Sequence, residues 1–252
     1  VIDLFHWAAV LVGIPKIIGE RENNARDIIN TGARAIFDKM KAPVYSVNMV
    51  NTEEEENVIP VGLYIDKGYK GFLEAYRKAA AASSKVHVKY LDEPLMQVVQ
   101  VIPENYDEVW LAGKGSYKLQ KPGIMAESGE IILYGPHIDR FHSNKIIEED
   151  LYSLGYHCRD KICSLLNGET DISRNAAAHL INVCGPGTVD KSTGREKLHF
   201  KVTLATAIPE EVCKKIGLSY RDPKTIKRSD FNGPGKLWIE QGGKYLYDIK
   251  GK

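Results

Sequence analysis

Residues 109–142 read VWLAGKGSYKLQKPGIMAESGEIILYGPHIDRFH. An apolar β-type run, Ile131 to Tyr134, ends in Gly135-Pro136-His137, and upstream of it Lys114 stands between Gly113 and Gly115. Such a run predicts a strand of an α/β fold, and the loops that follow strands are where these folds keep functional groups. Glycine allows close approach, so a lysine between two glycines is expected to be an ammonium open to a ligand. It would fix a carboxylate or polarise a hydroxyl. With no third glycine at the required offset, Gly113-Lys114-Gly115 is not a dinucleotide fingerprint.

The neighbouring sequence alternates between helical and strand patterns. Ala25, Ile28, Ile29, Gly32, Ile36, Phe37 and Met40 recur at three- and four-residue steps, which predicts a helix over residues 23–41, capped by Asn23 or Asn24 and ended before Pro43. PVYSVNMV (43–50) and VIPVGLYI (58–65) read as a strand pair around an acidic turn, with a second helix at 69–83 and strands at 86–90 and 96–102. Helices follow at 146–154, 156–166 and 173–184, then a strand at 199–205, a short helix at 210–216 and a closing hairpin from 236–240 and 244–249. The expected fold is α/β, a mixed sheet layered with helices.

Composition narrows the function classes. Thirty-four basic against 33 acidic residues leave a formal charge of +1, with no basic stripe for nucleic acid or a membrane surface. The longest apolar run, Trp7 to Ile14, stops at Pro15, too short to span a bilayer. Cys158, Cys163, Cys184 and Cys213 form no C-x-x-C pair, so a cysteine zinc site lacks support and a reduced, cytoplasmic setting is expected. Among the histidines, His137 and His142 fall in a strand-end loop with Asp139 between them, without the helical spacing of H-E-x-x-H. His157 reads as a structural helix residue and His87 as an outward strand residue.

Beyond these readings, the chain resembles the C-terminal part of the nickel-dependent lactate racemase family, enzymes that use a nickel-pincer nucleotide. The resemblance rests on His6 followed by Gly19 in IIGERENNARDII, on PVYSVNMV and VGLYIDKGYKGFLEAYRKAA, and above all on YDEVWLAGKGSYK with GEIILYGPHI. LGYHCRDK and VTLATAIPEEVCKKIGLSYRDP extend it toward the tail. It implies that His6 ligates nickel, that Lys114 holds substrate, and that Trp110 is the aromatic beside the cofactor. Leu111 stands where lactate racemases often carry a polar residue, which favours a 2-hydroxy acid other than lactate.

The activity so implied is racemisation or epimerisation of a small 2-hydroxy acid through hydride transfer to the cofactor. The family's two acid/base histidines and its cofactor-tethering lysine lie upstream of the position matched by His6. Residues 1–23 are therefore expected to be a remnant of a cofactor-proximal N-terminal domain and 24–252 a C-terminal α/β domain. The N-terminal domain of the same protein would be its partner, and this portion alone is expected to be inactive, with no cofactor bound. The competing expectation is a non-catalytic α/β domain that binds a ligand or partner, with Lys114 and His137 as ordinary polar surface.

Overall fold

The computed structural model describes residues 2–55, 57–166 and 173–251. It divides into two compact units, Val1–Ile18 with Tyr90–Lys252, and Gly19–Lys89. The first helix, α1 (Ile2–Val12), belongs to the larger unit. In the smaller unit, α2 (Asn24–Lys39) starts where the Asn23 side chain accepts a hydrogen bond from Arg26 N at 2.9 Å. The pair β1 (Tyr45–Glu54) and β2 (Asn57–Lys67) is antiparallel, and both strands run on into the acidic stretch read as a loop. Helix α3 (Gly68–His87) lies against this pair with Ala75 and Ala79 buried, while the cross-strand neighbours Val47 with Ile65 and Met49 with Leu63 stay exposed. His87 ends that helix rather than standing in a strand, its Nδ1 3.0 Å from Ser83 Oγ, one helical turn back.

After β3 (Val88–Leu91) the larger unit resumes with β4 (Leu95–Val101), the short helix α4 (Val109–Ala112) and β5 (Met125–Gly135). Helices α5 (Lys145–Leu154), α6 (Arg159–Leu166) and α7 (Arg174–Cys184) follow, then the small antiparallel pair β6 (Gly187–Val189) and β7 (Glu196–Leu198). The chain closes through β8 (Phe200–Thr206), α8 (Glu210–Lys215), β9 (Ser219–Tyr220), β10 (Lys236–Ile239) and β11 (Leu246–Ile249).

The fold is α/β, as expected, and its main sheet is parallel throughout, in the order β10-β4-β5-β8-β9. A parallel sheet covered on both faces needs strands that are apolar on both sides. Val98, Val99, Ile131, Ile132 and Leu133 meet that need, all fully buried. Val98, Ile131, Leu133 and Leu204 join the large helix-side core, and Val99, Ile132 and Ala205 pack with Phe231 in a second cluster. One carboxylate is buried in the sheet: Glu130 accepts from Thr203 at 2.7 Å, Arg221 at 2.7 Å and Gln97 at 3.0 Å, and pairs with Lys201 at 3.2 Å. These partners hold its carboxyl below the ordinary value although burial opposes them.

Two expectations are corrected. Residues 236–249 form no closing hairpin: β10 lies parallel to β4 with Trp238 opposite Val99, and β11 runs beside Leu91, whose carbonyl accepts from Lys250 N at 2.9 Å. Apolar Leu237, Trp238 and Ile239 bury more surface on a sheet edge than an isolated two-stranded hairpin offers. The division also does not fall at residue 23. Helix α1 packs on α7 and puts Val10 into the main core, so the beginning of the chain shares a body with its C-terminal part.

Candidate functional site

Helix α7 is the axis of the site. Ser173 caps it, accepting from Asn175 N at 3.2 Å and Ala176 N at 3.4 Å, and every residue from Ala176 to Cys184 is buried. A helix enclosed on all sides is normally apolar, yet this one carries His179 and Asn182 inside. Its final carbonyls, left open by the helical bonding pattern, are taken by the segment that bears Lys114. Ser116 Oγ donates to Val183 O at 2.9 Å and Gln120 Nε2 to Asn182 O at 2.5 Å.

That segment is not the open turn expected around Lys114. Residues Gly113–Leu119 continue α4 as a 3₁₀ helix, and the glycines face inward. A Cβ on Gly113 would come within 2.8 Å of Val183 Cγ2, and one on Gly115 within 2.3 Å of Gln100 Oε1. The small residues let the segment press against α7 and β4; they do not clear space for a ligand on either side. Gln100, fully buried, lies between Gly115 and Gly242, with neither amide atom partnered among the described residues.

Lys114 itself points its exposed side chain to a cavity of about 130 Å³ lined by His6, Trp110, Lys114, Tyr117, Asn175, Ala178, His179 and Asn182. His6, Trp110 and Lys114 therefore meet in one place although they come from α1, α4 and the 3₁₀ segment. Trp110 is held by its backbone, whose N–H donates to Phe141 O at 3.0 Å. Its indole stacks on His179 with ring centres 4.4 Å apart and meets His142 edge-on at 4.9 Å. His6 Nδ1 lies 2.5 Å from Asn175 Oδ1. An amide oxygen only accepts, so Nδ1 carries the proton and the Nε2 lone pair is left for another partner. This is the tautomer of a histidine that could ligate a metal through Nε2. Among the described residues no group of three or more His, Cys, Asp or Glu could hold a metal unaided.

His179, Asn175, Asn182 and Tyr117 were missed from the sequence. The available signal was a helix apolar on all faces, AAAHLIN, that nonetheless carries two strongly polar side chains. Tyr156 OH lies 2.9 Å from His179 Nε2, and burial, with Lys114, His142 and His6 nearby, pushes the imidazole down to about 3. Burial raises the Tyr117 hydroxyl well above its ordinary value, against a hydrogen bond shared with the Asn182 side chain. Among the described residues no carboxylate lines the cavity, and those that do line it are donor-rich and suited to an anion.

The other histidines and Leu111 lie off the cavity lining. His137 is exposed, with Nε2 2.9 Å from Tyr106 O. His142 accepts from Asn144 N at 2.8 Å and lies 4.0 Å from Glu108. His157 precedes α6 and sits 2.9 Å from Glu196.

Comparison with known structures finds a crystal structure of a Thermotoga maritima protein that is 57% identical, with a TM-score of 0.89 over 99% of this chain. The lactate racemase apoprotein from Thermoanaerobacterium thermosaccharolyticum matches over 81% of this chain at 13% identity, with a TM-score of 0.51. The second likeness is one of fold. This chain spans 59% of the Thermotoga protein's length and 46% of the racemase's. No protein-family model and no curated protein matches it. Among the described residues no helix is long and apolar enough to cross a membrane.

Proposed function

We propose that this chain is the substrate-side portion of a racemase or epimerase acting on a small 2-hydroxy acid with a nickel-pincer nucleotide. The observation that carries the reading is the meeting of His6, Trp110 and Lys114 in one donor-rich cavity. The fold likeness to lactate racemase lends it support. At about 30 Å³ per water, 130 Å³ holds about four waters, the size of a short acid and far below what a nucleotide needs.

In this reading the Lys114 ammonium pairs with the substrate carboxylate, and its exposed stem lets it follow the acid in and out. Asn182 and Tyr117 offer further polar contacts to the substrate oxygens. The Trp110 indole covers the acid and keeps water off its reacting face. His6, with Nδ1 fixed by Asn175, holds nickel through Nε2. When bound, the pincer group supplies the acceptor for the hydrogen on the carbinol carbon. The two acid/base histidines and the cofactor-tethering lysine implied by the resemblance would come from the N-terminal domain of the same protein.

The test uses the longer protein loaded with nickel-pincer nucleotide. Interconversion of the two hands of a short 2-hydroxy acid, followed by chiral chromatography, is expected and should fall about ten- to hundredfold in Lys114→Ala. A charge-assisted hydrogen bond is worth about 1.5–3 kcal/mol in binding alone. His6→Ala should lose bound nickel by elemental analysis. Unchanged turnover in both variants would sink the assignment, and binding of the acid without turnover would favour a non-catalytic ligand-binding domain.

A further inference from the structure

His179 lines the cavity, is 4% exposed, and has one polar atom, Nδ1, without a partner among the described residues. Its other nitrogen meets Tyr156 OH, which is equally enclosed and has no second acceptor among the described residues. Two arrangements of the protons are open. If Nε2–H donated to the tyrosine, the Tyr156 proton and the Nδ1 lone pair would both be stranded in a dry interior. If Tyr156 donates to Nε2, a single group is stranded, the Nδ1–H. Each buried unpaired group costs about 1–3 kcal/mol, so the second arrangement wins.

We propose that His179 is an additional ligand-binding residue, a neutral imidazole whose Nδ1–H, set by the Tyr156 hydroxyl, donates to an oxygen of the small anionic acid in the cavity. The inference rests on the function proposed above and adds a contact outside the nickel-side histidine and the Lys114 ammonium. His179 differs from a base in that it carries its proton at Nδ1 before the ligand arrives and keeps it afterwards. Tyr156, Tyr117, Lys114, His6 and His142 are the titratable groups that face it, and burial first, then Lys114, His142 and His6, disfavour a second proton on the ring. Trp110, stacked on the ring at 4.4 Å, holds its plane.

Glycolate, the smallest 2-hydroxy acid, is the probe, added to the full chain labelled with ¹⁵N. Long-range proton–nitrogen spectra between pH 5 and 8 should give His179 the pattern of an Nδ1-protonated neutral ring, and glycolate should shift that Nδ1 signal. Tyr156→Phe keeps the packing and removes the hydroxyl. It should release the tautomer and weaken glycolate about three- to tenfold, as expected for one neutral hydrogen bond. An Nε2-protonated ring in the wild-type chain overturns the proposal. So does a glycolate response at the Trp110 indole N–H that leaves His179 Nδ1 unmoved, and in that outcome the substrate site itself stands. No response at either residue overturns both readings together.

Discussion

Gly115 shows how closely the Lys114 segment is fitted. Its backbone presses on a fully buried glutamine, and a methyl group there would meet Gln100 Oε1 at 2.3 Å. Gly115→Ala should destabilise the chain by about 1–3 kcal/mol, the usual cost of overpacking, read as a lower urea midpoint. Lys114→Ala, at an exposed side chain, should change stability by about 0.5 kcal/mol or less. That contrast separates the structural glycine from the ligand-facing lysine. His179 gives a prediction in pH. Its folded value is pushed down to about 3 from 6.5, so between those values the unfolded chain binds the extra proton. Its contribution is complete above pH 6.5 and lost as pH falls toward 3, with a slope of up to about 1.4 kcal/mol per pH unit. Denaturant titrations should show that slope, reduced in His179→Phe.

Among the elements, α7 shows what caps and spacing made readable. The helix expected at 173–184 starts within a residue of its observed start, and Asn23, one of the two caps expected for α2, is the one used. Ser173→Ala should cost about 1 kcal/mol, seen as a lower melting temperature, and should loosen Asn175 in the first turn and with it the His6 imidazole. Other elements were not legible because distant partners decide them. Residues 113–119 look like a loop until α7 is present to offer its open carbonyls. Residues 236–239 look like half a hairpin until β4 offers an edge. The meeting of His6 with Lys114 came only through the family resemblance, since nothing in their spacing ties α1 to α4. His179 went unweighed because a lone histidine on an apolar helix is commonly a satisfied core residue.

For the whole molecule, the parallel sheet depends on one charge network as well as on its apolar strands. Glu130 gathers Gln97 from β4, Lys201 and Thr203 from β8, and Arg221 beyond β9. Glu130→Ala should leave the buried Thr203 hydroxyl unanswered while Arg221 and Lys201 turn to solvent, and cost about 1–3 kcal/mol, the range for an unsatisfied buried polar group, measured by chemical denaturation. Because the folded carboxyl lies below its ordinary value, this contribution is present above the unfolded value and fades as pH falls through the folded one. It therefore adds to the acid lability that His179 brings.

The position of β10 bears on how the protein is born. A ribosome delivers β4, β5 and β8 well before the residues that flank β4 on its other side, so an apolar parallel strand waits in the growing chain with its hydrogen-bonding groups open. Any fusion, stop codon or protease cut that removes the tail prolongs that interval indefinitely and turns a folding intermediate into a seed for clumping.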